Sequence, residues 1–199
     1  MENPPAGNHI ARCIGLVDMG TQAHSWNNET WSSRDVRIVW ELPFCQMAGK
    51  YKPELKGTIF RVSWTGKQSL HPQAKLRKFV DSWKGKKMTK EEVDAFDPRA
   101  MLGKACRLTL IEGETYVNVE GVSPLGAGDK CPKQHHPTVF FSLEEQDFDQ
   151  KVYASLSENL KKKIAASPEF KALVGGGEDG GDPPSEYSGI EQDNSDIPF

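Results

Sequence analysis

The nine residues Arg34–Leu42 (RDVRIVWEL) restrict the fold of this chain more than any other stretch. Val36, Ile38, Trp40 and Leu42 alternate with Arg37, Val39 and Glu41, a period of two that places one apolar stripe on one face of a strand. Pro43 ends it, because proline has no N–H to give to a sheet ladder. A strand with such a stripe needs a second layer to cover it, so the chain has to build a packed β structure. Two further strands precede and follow. His9–Gln22 (HIARCIGLVDMGTQ) is rich in β-branched residues and closes near Gly20, and Gly57–Gly66 (GTIFRVSWTG) alternates Phe60, Val62 and Trp64 with Ile59, Arg61, Ser63 and Thr65. The polar stretch AHSWNNETWSS between the first two strands reads as a loop carrying Trp26 and Trp31.

The period then changes. After Pro72, Leu76, Phe79, Val80 and Trp83 recur at helical spacing, and Gly85 stops the helix. Thr89-Lys-Glu-Glu92 is a capping box that opens a second short helix with Val93 and Phe96 inward, ended by Asp97-Pro98. Residues 103–111 and 115–122 flank Glu112-Gly113-Glu114 and predict a hairpin. A third helical region covers 147–174, interrupted at Ser167-Pro168. The expected fold is therefore mainly β with α additions. Three strands, helix and closing hairpin match the connectivity of a five-stranded OB-fold barrel with helices between strands three and four. Its core is expected at 9–125, a loop and helical extension at 126–174, and a disordered acidic tail at 175–199.

Charge divides the chain in the same place. The net charge is −3, yet residues 175–199 hold seven acidic side chains and no Lys or Arg. The remainder has 25 basic against 21 acidic residues, a body of about +4 suited to a polyanion. No apolar run is long enough to span a membrane, and the start (MENPPAGNHIAR) lacks the basic and apolar regions of a secretory signal. The expectation is a protein of the cytoplasm, not secreted. The four cysteines are scattered without a C-x-x-C pair, and Cys131-Pro-Lys-Gln-His135-His136 is spaced poorly for zinc, so neither metal nor cofactor is expected. No phosphate-binding glycine loop, nucleophile elbow or H-E-x-x-H occurs, and no enzyme activity is expected.

Basic and aromatic residues interleave instead, as single-strand binding requires: cations follow phosphates and flat rings stack on bases. Arg12, Arg37, Arg61, Lys67, Lys84, Lys86 and Lys87 are the candidate phosphate contacts. Trp26, Trp31, Tyr51, Trp64 and Tyr116 are the candidate stacking rings, although Trp40, Phe60, Trp64 and Trp83 sit at spacings that more often mark a core than a stacking platform. At the extreme C-terminus, Asp193, Asp196, Ile197, Pro198 and Phe199 put an apolar plug and a free carboxylate on an acidic tether, a shape suited to a partner's pocket.

That ending resembles the acidic tip of bacterial single-stranded DNA-binding proteins, with Ile-Pro-Phe intact and Asn194 and Ser195 where acids are usual. The body resembles instead a phage-encoded family of single-stranded DNA-binding proteins. The likeness lies in Trp64-Thr-Gly-Lys-Gln-Ser-Leu-His71, Leu76 through Gly85, Glu91–Asp97, Leu102–Cys106 and Tyr116-Val-Asn-Val119, and it covers roughly residues 9–125. It implies an OB fold and a setting in phage DNA replication or recombination inside the bacterial host. Replication or recombination proteins would be recruited through the tip, and the tail would limit duplex binding. An adaptor with weak DNA binding and a metal-dependent nuclease are the alternatives.

Overall fold

The computed structural model describes residues 2–175. Its backbone is mainly β. Strands β1 (Gly7–Trp26), β2 (Glu29–Gln46), β3 (Ile59–Lys67), β4 (Ala105–Glu112), β5 (Val117–Ser123) and β6 (Val139–Phe141) form one sheet. Five of them run antiparallel in the order β3-β2-β1-β4-β5, while β6 adds in parallel to β1 at Gly15–Val17. β3 and β5 come close to each other, but no ladder joins them among the described residues, so the sheet is not closed.

Helices α1 (Lys75–Lys84) and α2 (Lys90–Asp94) fall between β3 and β4, and α3 (Gln150–Ser155), α4 (Glu158–Ala166) and α5 (Pro168–Val174) follow β6. The capping box is formed as its residues predict: the Glu92 N–H donates to Thr89 Oγ1, and the Thr89 N–H donates to the Glu92 carboxylate. Arg77 is buried in α1; its Nε donates to Asp81 at 2.8 Å and its Nη2 to the Met88 carbonyl at 2.6 Å, which fixes the link between the two helices.

Two apolar clusters result. The stripe Val36, Ile38, Trp40 and Leu42 meets Phe60, Val62 and Trp64 from β3, Leu108 and Leu110 from β4, and Leu76, Phe79 and Val80 from α1. Each fully buried aliphatic or aromatic side chain there contributes roughly 1.5–3 kcal/mol of transfer free energy. The second cluster packs Val17, Met19 and Phe141 against Leu156, Leu160 and Ile164, with Phe148, Tyr153 and Phe170 around them. It docks α4 and α5 onto β1. Gly20, at φ +68°, lies at a β-bulge there, and a Cβ on it would stand 2.5 Å from Ser167 Cβ. Only glycine permits this approach.

The opposite face of β2 is closed by the segment before β6. Glu41 is fully buried, and its carboxylate accepts from the His135 N–H (3.1 Å), the His136 N–H (2.9 Å) and His136 Nδ1 (3.0 Å). Arg12 donates to the carbonyls of Gly103 (2.6 Å) and Pro132 (2.7 Å) and pins the same segment from β1. Burial holds the His136 ring below its ordinary value of 6.5, against the pull of Glu41. The unfolded chain therefore binds a proton near pH 6.5 that the folded chain refuses until the pH is lower. This contribution is intact above pH 6.5 and is lost as pH falls below it. Urea midpoints should decline between pH 7 and about 5.5, above the carboxylate range, and His136→Asn should flatten that decline. A midpoint that stays level or rises in the wild type over this interval contradicts the assignment.

Candidate nucleic-acid interface

Residues 23–33 are not a loop. β1 and β2 stay paired to Trp26↔Glu29, and only Asn27 and Asn28 make the turn, at φ 48° and 65°. Two successive left-handed residues form a type I′ turn, whose twist suits a hairpin, and asparagine tolerates that region better than most residues. Beyond Arg34 the sheet partner β3 has ended, so the hairpin continues alone as a two-stranded arm.

The arm has one aromatic face. Pairing of His24 with Trp31 and of Trp26 with Glu29 places these four side chains on the same side. The His24 and Trp31 rings stack with centroids 5.5 Å apart and planes 22° from parallel. Below them, His24 Nε2 lies 3.1 Å from Ser33 Oγ and 3.2 Å from Asp35 Oδ2, and Ser33 Oγ donates to Asp35 Oδ1 at 2.8 Å. Burial raises the Asp35 carboxyl, partly offset by its bonds to Ser33 and His24. This chain of contacts runs from the buried sheet to the Trp31 ring and fixes its position. Trp26 and Trp31 remain 66% and 44% exposed. Large rings held open on a two-stranded ribbon contribute little to folding and present flat apolar surface to a ligand.

The base of the arm is anchored on both edges. Arg34 Nη2 contacts Asp18 Oδ2 at 2.5 Å and Glu144 Oε1 at 2.7 Å, and the Asp18 hydrogen bond raises the guanidinium further above its already high value. Asp18 also accepts from the Gly20 and Leu143 N–H groups. From α5, Glu169 accepts the Thr21 N–H at 2.8 Å and its hydroxyl at 2.6 Å.

The other predicted contacts divide by environment. Lys67 is exposed at the end of β3, opposite Asp35, and lowers that carboxyl slightly. Lys84 and Lys86 lie on the surface with Glu92 at 3.5 and 2.9 Å, and Lys87 beside them is exposed. Tyr51, 60% exposed, occupies the β2–β3 connection with Lys50 Nζ 5.3 Å above its ring, and half-buried Tyr116 occupies the β4–β5 turn.

Four residues stand differently from expectation. Trp64 is only 4% exposed and meets Phe79 edge to face, so it fills the core and offers no face for stacking. Arg37 is 5% exposed and reaches Thr65, and Arg61 is half-buried near His136, both on the face of the sheet that also carries Glu41. Arg12 is committed to backbone carbonyls. Alternation on a strand identifies two faces but does not reveal that a later segment covers the second one. His24, Ser33 and Asp35 give no signal in the sequence beyond their common parity with Trp31 across a turn at Asn27-Asn28.

The tip residues Asp193, Asp196, Ile197, Pro198 and Phe199 lie outside the described residues, as does all but Gly175 of the expected tail. The cysteines are free; Cys13 and Cys106 are buried, and desolvation pushes the Cys13 thiol up to about 12. Among the described residues no group of three or more His, Cys, Asp or Glu side chains is placed to hold a metal ion, and no helix is long and apolar enough to cross a membrane. Neither family models, nor curated proteins, nor solved structures give a match to this chain.

Proposed function

We propose that this protein is an OB-type, sequence-independent single-stranded DNA-binding protein that coats strands during phage DNA replication or recombination. The observation that carries the reading is the projecting β1–β2 arm with Trp26 and Trp31 open on one face. In an OB barrel the loop between strands one and two is one of the elements that grip oligonucleotides, and the loop between strands four and five, here holding Tyr116, is another. The order β3-β2-β1-β4-β5, with α1 inserted before β4 and β3 near β5, supports this fold reading. The rings stack on bases of any identity, while Lys67, Lys86 and Lys87 supply positive charge for the backbone. The acidic C-terminal segment recruits replication or recombination proteins and competes with duplex for the basic surface, and the cell compartment is the cytoplasm of the bacterial host.

The test is a polarisation titration of labelled oligo-dT of about 30 nucleotides, repeated with duplex at the same salt and then across salt. Saturable binding of the single strand with much weaker duplex binding is expected. Three phosphate contacts give a log–log salt slope near −2, from about −0.7 per contact. Equal weak binding of both DNAs, or a flat salt response, overturns the reading and favours an adaptor that uses the arm to bind protein.

A further inference from the structure

At the end of β2 far from the arm tip, three consecutive backbone N–H groups converge on one carboxylate. The N–H of Ala48 donates to Glu2 Oε1 at 2.5 Å, and those of Gly49 and Lys50 donate to Glu2 Oε2 at 3.0 and 3.1 Å. Gly49 makes this possible: its φ of +76° turns neighbouring N–H groups toward a common point. A Cβ there would lie 2.9 Å from Lys56 Cβ. Such a concavity of successive N–H groups is an anion cradle. Its occupant behaves as an anion, since the Ala48 N–H and its two neighbours hold the Glu2 carboxyl below the usual carboxylate range. The surroundings are not those of a simple structural clasp. Lys50, Lys52 and Lys56 are exposed on the same connection, and the Tyr51 ring beside the cradle is open to solvent.

We propose that the Ala48–Lys50 cradle is a phosphate site for the single-strand backbone, and that Glu2 is an internal stand-in which the incoming phosphate displaces. The proposal rests on the single-strand reading and extends it to a second contact point, at the opposite end of β2 from Trp31. A ring, three ammonium groups and an N–H cradle within one connection match a nucleotide, base against Tyr51 and phosphodiester in the cradle. Glu2 then acts as a cis competitor, and the apparent affinity is reduced by the fraction of molecules in which it occupies the site.

The experiment uses the full chain and its Glu2→Ala and Glu54→Ala variants, titrated with oligo-dT while backbone amide resonances are followed. Glu54 is an exposed acid on the same connection, so its variant removes equal charge without vacating the cradle. Glu2→Ala should bind oligo-dT about fivefold more tightly than wild type, with Glu54→Ala gaining clearly less. The amides of Ala48, Gly49 and Lys50 should shift on oligo-dT addition. Equal gains in the two variants with unmoved cradle amides, while arm resonances shift, overturn the proposal and leave the single-strand reading standing. Cradle amides that respond to a peptide ending in DNSDIPF but not to oligo-dT overturn it in favour of a carboxylate site. No response of arm or cradle to oligo-dT removes the single-strand reading and this proposal together.

Discussion

Replacing Trp26 and Trp31 together by alanine is expected to weaken oligo-dT binding at least about thirtyfold, because each stacked base is worth about 1–3 kcal/mol. Both rings are open to solvent, so the folded state loses little beyond the contact of Trp31 with His24. Urea midpoints should stay close to wild type. The single Trp31→Ala change should cost less than the double, and His24→Ala should lower affinity through Trp31 alone, with no further loss in a Trp31→Ala background. Equilibrium titration at fixed salt reads all four variants. A double variant that binds like wild type would place the DNA elsewhere on the molecule.

A second large effect is expected in stability. Glu41→Ala removes the buried carboxylate that three donors of His135 and His136 share, and each donor left unsatisfied costs roughly 1–3 kcal/mol. Part of this is offset because the alanine chain no longer has to desolvate a charge. A net loss of about 3 kcal/mol is expected, equivalent to a fall in Tm of roughly 6–12 °C for a chain of this size. The loss should be local at first. Segment 124–138 would leave the sheet, and trypsin should cut at Lys130 and Lys133 well before it cuts the β1–β4 ladder. Urea unfolding and limited proteolysis check both parts. A variant with wild-type midpoint and an intact segment would mean that the Glu41 bonds are replaced by water at no cost.

These two sites differ in how far the residues announce them. The stripe Val36–Leu42, the helix at Leu76–Trp83 and the capping box at Thr89–Glu92 follow from period and local hydrogen bonding and form where their residues predict. But β2 does not end at Pro43: it runs on to Gln46 across a register shift between Leu42 and Gln46, where the missing N–H of proline is tolerated. The arm does not follow from period, because a ribbon with solvent on both faces needs no apolar alternation; AHSWNNETWSS is polar and reads as a loop. Its one local signal is Asn27-Asn28, two residues suited to a left-handed turn. β6 is three residues long and exists because β1 offers an open edge at Gly15–Val17, a long-range circumstance with no local pattern. Glu41, Arg37 and Arg61 carry the polar alternation of a solvent-facing strand, yet the His135–His136 segment folds back onto Glu41. Which lysines and arginines stay exposed is therefore decided by chain-distant packing. The Glu2 cradle is likewise invisible in sequence, since its donors are backbone groups.

Single-stranded DNA is proposed to lie against the aromatic face of the arm. Photo-cross-linking with oligo-dT carrying 5-iodouracil, followed by peptide mapping, tests it most directly, because the excited base bonds to the ring it is stacked on. Adducts concentrated at Trp26 and Trp31, and suppressed by excess unlabelled single strand but not by duplex, are the predicted result. Adducts confined to residues outside the arm, or none above the level seen with duplex, would contradict the account.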